Sequence, residues 1–181
     1  MSLWITLLLA GLMLEPAGVS PASAASAASL SRDARAALEQ LYRKNPAAKD
    51  LGKRALAVLV FPRMVKAGFM FGGQIGEGAL LRGGRTTGYY NSVAASYGFQ
   101  AGAQVFGYAL FIMNEGALQY LDRSGGFELG VGPSLVVVDE GFAKSYTSST
   151  LTQDIYAVIF DQLGAMAGAG IQGSKITRIS K

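Results

Sequence analysis

Arg63 and Lys66 stand within the stretch FPRMVKAGFMFGGQIGEGALL (61–81), and no other formal charge occurs between Arg54 and Glu77. Two cations set beside an apolar, glycine-rich segment form an isolated positive spot suited to an anion or a lipid headgroup. The other residues of chemical interest are the carboxylates Glu77, Glu128, Asp139, Glu140 and Asp154. Two carboxylates that met could work as an acid and a base. Nothing in their spacing brings two together, and Asp139-Glu140-Gly141 has the composition of a turn. The sequence has no histidine and no cysteine. That removes the usual base near neutral pH, thiolate nucleophiles, disulfides and Cys- or His-type metal sites. The chain therefore reads as a non-enzymatic binding protein with no cofactor and no metal.

The run Gly168-Ala169-Gly170-Ile171-Gln172-Gly173 matches the spacing GxGxxG. A dinucleotide site needs a helix after it and an acidic residue further on. The chain ends at Lys181, which leaves room for neither. These glycines read as part of a sheet. Tyr89, Tyr90, Tyr97 and Phe99 likewise read as core or sheet-face residues rather than platforms for stacking bases.

The 181 residues, half of them hydrophobic, suffice for one domain with a sizeable core. The net charge of +4 is unevenly placed. Residues 1–24 hold a single charge, Glu15, and then Arg32, Arg35, Arg43, Lys44, Lys49, Lys53, Arg54, Arg63 and Lys66 follow in close succession. Such a basic third calls for an anionic partner, a membrane surface or nucleic acid. The alternative is that these charges merely solvate helix exteriors.

Residues 3–14, LWITLLLAGLML, are too short to cross a bilayer comfortably. Ala22-Ser23-Ala24 and Ala25-Ser26-Ala27 supply the small residues that signal peptidase prefers, although no Lys or Arg precedes the apolar run. The expected organisation is a signal peptide over 1–24, a short linker over 25–30 and one domain over 31–181. The mature chain would cross the inner membrane and be periplasmic, peripheral on a membrane.

From Leu30 to Tyr42, Leu30, Ala34, Ala37, Leu38 and Leu41 recur at helical spacing, with Arg32, Arg35, Glu39 and Arg43 opposite. Glu39 and Arg43 are spaced as an i,i+4 ion pair. This amphipathic helix either covers a core or lies on a membrane. Asn45 as N-cap and Pro46 at the first position open a second short helix carrying Lys49, Lys53 and Arg54. Strands are expected at Ala57–Phe61, closed by Pro62, and at 97–105, 108–113, 127–138, 155–160, 164–172 and 175–179. Asn114 is expected to cap a helix, EGALQYLDR, between them. The fold class is α+β: an antiparallel β-sandwich or barrel-like sheet with N-terminal amphipathic helices and one short helix inserted between strands.

Four blocks in order, FPRMVKAGFMFGGQIGEGALL, GYYNSVAASYGFQAGAQ, FELGVGPSLVVVDEG and GAMAGAGIQGSKITRI, resemble the SYLF domain family, from about Ser31 to the C-terminus. The resemblance implies a phospholipid-binding module, which in eukaryotic members prefers phosphoinositides and acts with actin. It places Lys66, in VKAGF, at a position of the family's own pattern. The lipid-binding residues it implies here are Lys66, Lys53, Arg54, Lys49, Arg32, Arg35 and Arg43, to which the isolated positive spot adds Arg63. The leader marks an exported bacterial-type member, for which actin is not an expected partner. The expected partners are an anionic phospholipid surface and an envelope protein, not nucleic acid. The alternative is a structural envelope protein or small outer-membrane β protein acting through protein partners.

Overall fold

The computed structural model describes residues 26–123, 127–128, 134–138 and 153–181. Helix α1 (Ala27–Lys44) starts at Ser26, whose hydroxyl accepts from the Ser29 N–H at 3.2 Å. It therefore begins inside the stretch expected to be linker. Arg43 and Lys44 in its last turn suit the negative end of the helix dipole. Asn45 closes α1 and opens α2 (Pro46–Arg54), accepting from the Ala48 N–H at 3.0 Å, with Pro46 at the first position. Asn114 caps α3 (Glu115–Leu121) in the same way, at 2.9 Å to the Ala117 N–H.

The sheet is built on three very long strands: β1 (Ala57–Arg82), β2 (Arg85–Ile112) and β5 (Ile155–Ile179). β1 and β2 form a hairpin that turns on Gly83-Gly84, with φ of +56° and +76°. Two consecutive positive φ values define the tight turn that matches strand twist. β5 pairs antiparallel with β2 along almost its whole length. Short β3 (Phe127–Glu128) joins β5 antiparallel near its C-terminal end, and β4 (Leu135–Val138) joins it parallel at its start. The order is β1-β2-β5-β3, an open sheet.

The expected breaks are bends inside continuous strands. Pro62 does not end a strand; it lies in a register irregularity between Phe61 and Met64, where a missing N–H costs the ladder little. The segments expected at 97–105 and 108–113 are both β2, up to Ile112. Those at 155–160, 164–172 and 175–179 are all β5. The GxGxxG glycines accordingly sit within β5, as sheet residues. Strands of 25 to 28 residues must curl to bury apolar surface, and β1 curls until its two halves touch. A Cβ added at Gly78 would lie 2.7 Å from Phe61 Cδ1 and 2.8 Å from the Val60 carbonyl oxygen.

The base of this coiled sheet is buried on both faces. Leu59, Phe61, Met64, Tyr90, Leu110 and Ile176 pack with α3 inside the curl. On the outer face, α1 and α2 set Leu30, Ala34, Leu41 and Leu51 against Val58, Val60, Phe111 and Tyr156. Double burial explains why AVLVF and YALFI are unbroken apolar runs rather than alternating ones. The α+β class, the mainly antiparallel sheet, the N-terminal helices and the one inserted helix are as expected, and the sheet is open. The strand expected over 127–138 is represented by β3 and β4, with residues 129–133 outside the described residues, as are the leader and the Asp139-Glu140-Gly141 turn.

Candidate functional site

Arg32, Arg35, Arg43, Lys49, Lys53, Arg54 and Arg63 are all exposed, and Lys66 is partly exposed. Their surroundings divide them. Arg32 faces Asp33 at 3.6 Å, Lys53 is bonded to Asp50 at 2.7 Å, and Arg35 donates to Thr86 Oγ1 at 3.3 Å. Lys53 and its neighbours Arg54 and Lys49 hold the Asp50 carboxyl below the usual aspartate range, Lys53 most strongly. Arg43, Arg63 and Lys66 form no ion pair with a carboxylate among the described residues. The Glu39–Arg43 pair is absent from the ion pairs of the described residues, and Lys44 instead reaches Asp161 on β5 at 2.6 Å.

The apolar stripe of α1 is consumed by packing. Leu30, Ala34 and Leu41 are buried against the sheet, and Ser31 and Gln40 fasten the helix to Tyr89 and Asp161 at 2.9 Å each. The helix is a lid on the core, so its apolar face is not free to enter a membrane.

A second surface, not singled out from the sequence as a site, lies where β1, β2 and β5 run beyond the helices. β1 bends sharply over residues 68–72. A Cβ at Gly68 would come within 2.5 Å of the Gly72 Cα and 2.6 Å of the Phe71 carbonyl oxygen, so the concave side admits only hydrogen there. The strand shifts register between Phe69 and Phe71, at the crest of the bend. Side chains alternate across a strand, which sorts this region into two faces. Lys66, Gly68, Gly72 and Gln74 share one, with Gln104, Gly102 and Gly164 in register beside them. Val65, Phe69, Phe71 and Ile75 share the other, with Val105, Val93 and Leu163 in register. This apolar face is open: Phe69 is 75%, Phe71 69%, Leu163 71% and Ile75 58% exposed. The signal was present as apolar residues at odd positions from 65 to 75.

The remaining polar groups serve structure. Asp154 accepts from Asn114 Nδ2 at 2.7 Å and from the Ser134 N–H and Oγ at 2.9 and 2.8 Å, tying the α3 cap to the start of β4. These bonds, the Ser134 amide first, hold its carboxyl below the usual aspartate range. Tyr90 donates to Asp122, which is also paired with Arg178 at 3.0 Å. Burial first, then Asp122, pushes the Tyr90 phenol upward. Glu77 is bonded to Lys181 at 2.8 Å. No two of these carboxylates form a pair, and among the described residues no cluster suits a metal ion. A cleft of about 430 Å³ lies between α1, α2 and the β1–β2 turn, lined by Arg35, Glu39, Tyr42 and Leu56. Burial raises the Tyr42 phenol there. Among the described residues, no helix is long and apolar enough to cross a membrane.

Residues 93–181 match the family model described as Ysc84, Las17-binding protein actin regulator. The match begins within β2 and runs through α3, β3, β4 and β5 to the end of the chain, and α1, α2 and β1 precede it. No curated protein matches the chain.

Proposed function

With residues 93–181 belonging to the Ysc84 (SYLF) family, we propose that the protein is a non-catalytic module that attaches peripherally to anionic phospholipid surfaces. The observation that carries this is the pair Arg63 and Lys66. Both are accessible, neither meets a carboxylate among the described residues, and both lead into an exposed apolar face. Cations near an anionic bilayer contribute about 1 kcal/mol each. Arg43, which forms no ion pair with a carboxylate among the described residues, and exposed Lys49 add to the field. Attachment of this kind is reversible and weakens with salt. The exported, envelope location belongs to the same proposal, through the leader-like residues 1–24. It sets aside actin regulation, the role in the family's description, in favour of the lipid.

The test is co-sedimentation of the chain from Ala25 onward with neutral vesicles and with vesicles containing phosphatidylglycerol, cardiolipin or phosphoinositide. We expect salt-sensitive binding to anionic vesicles alone, weakened about tenfold or more in Arg63→Glu/Lys66→Glu. Absence of binding to every vesicle sinks the proposal.

A further inference from the structure

We infer that the bent end of the β1-β2-β5 ribbon is a membrane-inserting tip, with Phe69 and Phe71 entering the acyl boundary of an anionic bilayer and Lys66 left at the headgroups. The inference rests on the membrane proposal above and goes beyond it, from electrostatic attachment to an inserted element. Four observations carry it. The rings stand on the convex side of a bend whose concave side is closed by Gly68 and Gly72, so they project away from the body. Val65, Ile75, Val93 and Leu163 continue the same face across three strands, and the cation Lys175, in register with Val93, borders it on the side away from the bend. α1, the other amphipathic element, has spent its apolar stripe on the core. Finally, Lys66 lies three residues from Phe69, about 10 Å along a strand at ~3.3 Å per residue. That spacing matches the depth, about 5–10 Å, to which interfacial elements sink below the headgroups.

Charge selects the occupant. A second copy docking tip to tip would bring two sets of Lys66 together, and its register neighbours Gln104 and Gly164 offer no carboxylate to receive them. An anionic bilayer supplies both an apolar medium for the rings and phosphates for the cations.

The only tryptophan is Trp4, so a Phe69→Trp variant of the chain from Ala25 onward carries a single fluorescent reporter at the tip. That chain contains every contact of the described fold. The full chain with Trp4→Phe and Phe69→Trp is run beside it, and Ala36→Trp, on the exposed side of α1, is the control. With phosphatidylglycerol vesicles, the Phe69→Trp emission should shift to shorter wavelength and be quenched by lipids brominated along the acyl chain, while Ala36→Trp stays unchanged. A Phe69→Ser/Phe71→Ser variant should keep its circular dichroism and lose on the order of 100-fold in vesicle affinity, about tenfold per ring. Wild-type binding with unshifted Phe69→Trp emission, or with undiminished affinity in the double variant, overturns the insertion and leaves electrostatic attachment standing. Failure of the wild type to bind any vesicle overturns both. Dimers in light scattering that dissociate in the double variant assign the tip to a second copy and overturn the inference.

Discussion

Gly78→Ala probes the feature on which the fold depends, the contact between the two halves of β1. In an ordinary strand this change is favourable, because alanine restricts the unfolded chain, by about 0.4–1 kcal/mol. At Gly78 the new methyl would lie 2.7 and 2.9 Å from the Phe61 ring and 2.8 Å from the Val60 carbonyl oxygen. Neither neighbour can retreat easily, since Phe61 and Val60 are fully buried and the oxygen belongs to the backbone. Overpacking of this kind costs about 1–3 kcal/mol, leaving a net loss of roughly 1–2 kcal/mol. For a domain of this size the melting temperature should fall by about 3–8 °C. Gly73→Ala is the internal control: its nearest neighbour is the Ala94 carbonyl oxygen at 3.7 Å, an ordinary contact. It should raise the melting temperature by about 1–3 °C. Thermal unfolding followed by circular dichroism reads both. A Gly78→Ala protein as stable as wild type refutes the curl, because the halves of β1 would not then be in contact.

Two further predictions concern the polar ties. The Asp154 carboxyl titrates below its ordinary value of 3.8 in the folded protein. Its contribution to stability is therefore complete above that value and lost as the pH falls below it. Melting temperature measured from about pH 5 toward pH 2 should drop less steeply in Asp154→Asn than in wild type, and identical slopes would count against the assignment. Tyr90→Phe removes the hydrogen bond to Asp122 while leaving Asp122 paired with Arg178. Urea unfolding should show a loss of about 1–1.5 kcal/mol, and no loss would mean that the phenol is solvated instead.

The helices were legible from sequence because their signals are local. Asn45 followed by Pro46, and Asn114 ahead of an acidic first turn, are caps that need no tertiary context. The class of the sheet was legible from its alternation and its glycines. Its continuity was not. Pro62, Gly164 and the polar pair at 161–162 carry the chemistry of strand ends, and only pairing with β2 shows that the chain bends through them without leaving the sheet. Asp161, at φ +48°, takes a left-handed conformation that a turn would also require. The cations of the candidate site were visible as a charge run, but sequence cannot tell a paired cation from an unpaired one. Asp50 and Thr86 engage Lys53 and Arg35, whereas Arg63 and Lys66 meet no carboxylate among the described residues.

The division of the long ribbon into a covered base and an open end has a physical reading of its own. Over the base, both faces of the sheet are closed, by the curl on one side and by α1 and α2 on the other. The same three strands then continue past the helices, where burial in the described fold cannot hold them. Glycine at 68, 72, 73, 102 and 164 gives that extension little side-chain area with which to stabilise a bend. A segment built only for stability would place polar residues on its solvent side, as half-buried strands do. Here Phe69, Phe71, Ile75 and Leu163 stand on the open side. Full burial of a large apolar side chain is worth about 1.5–3 kcal/mol, a gain this face forgoes in water. Its exposure is what the inserting tip proposed above requires, with Arg63 and Lys66, which meet no carboxylate among the described residues, at its approach.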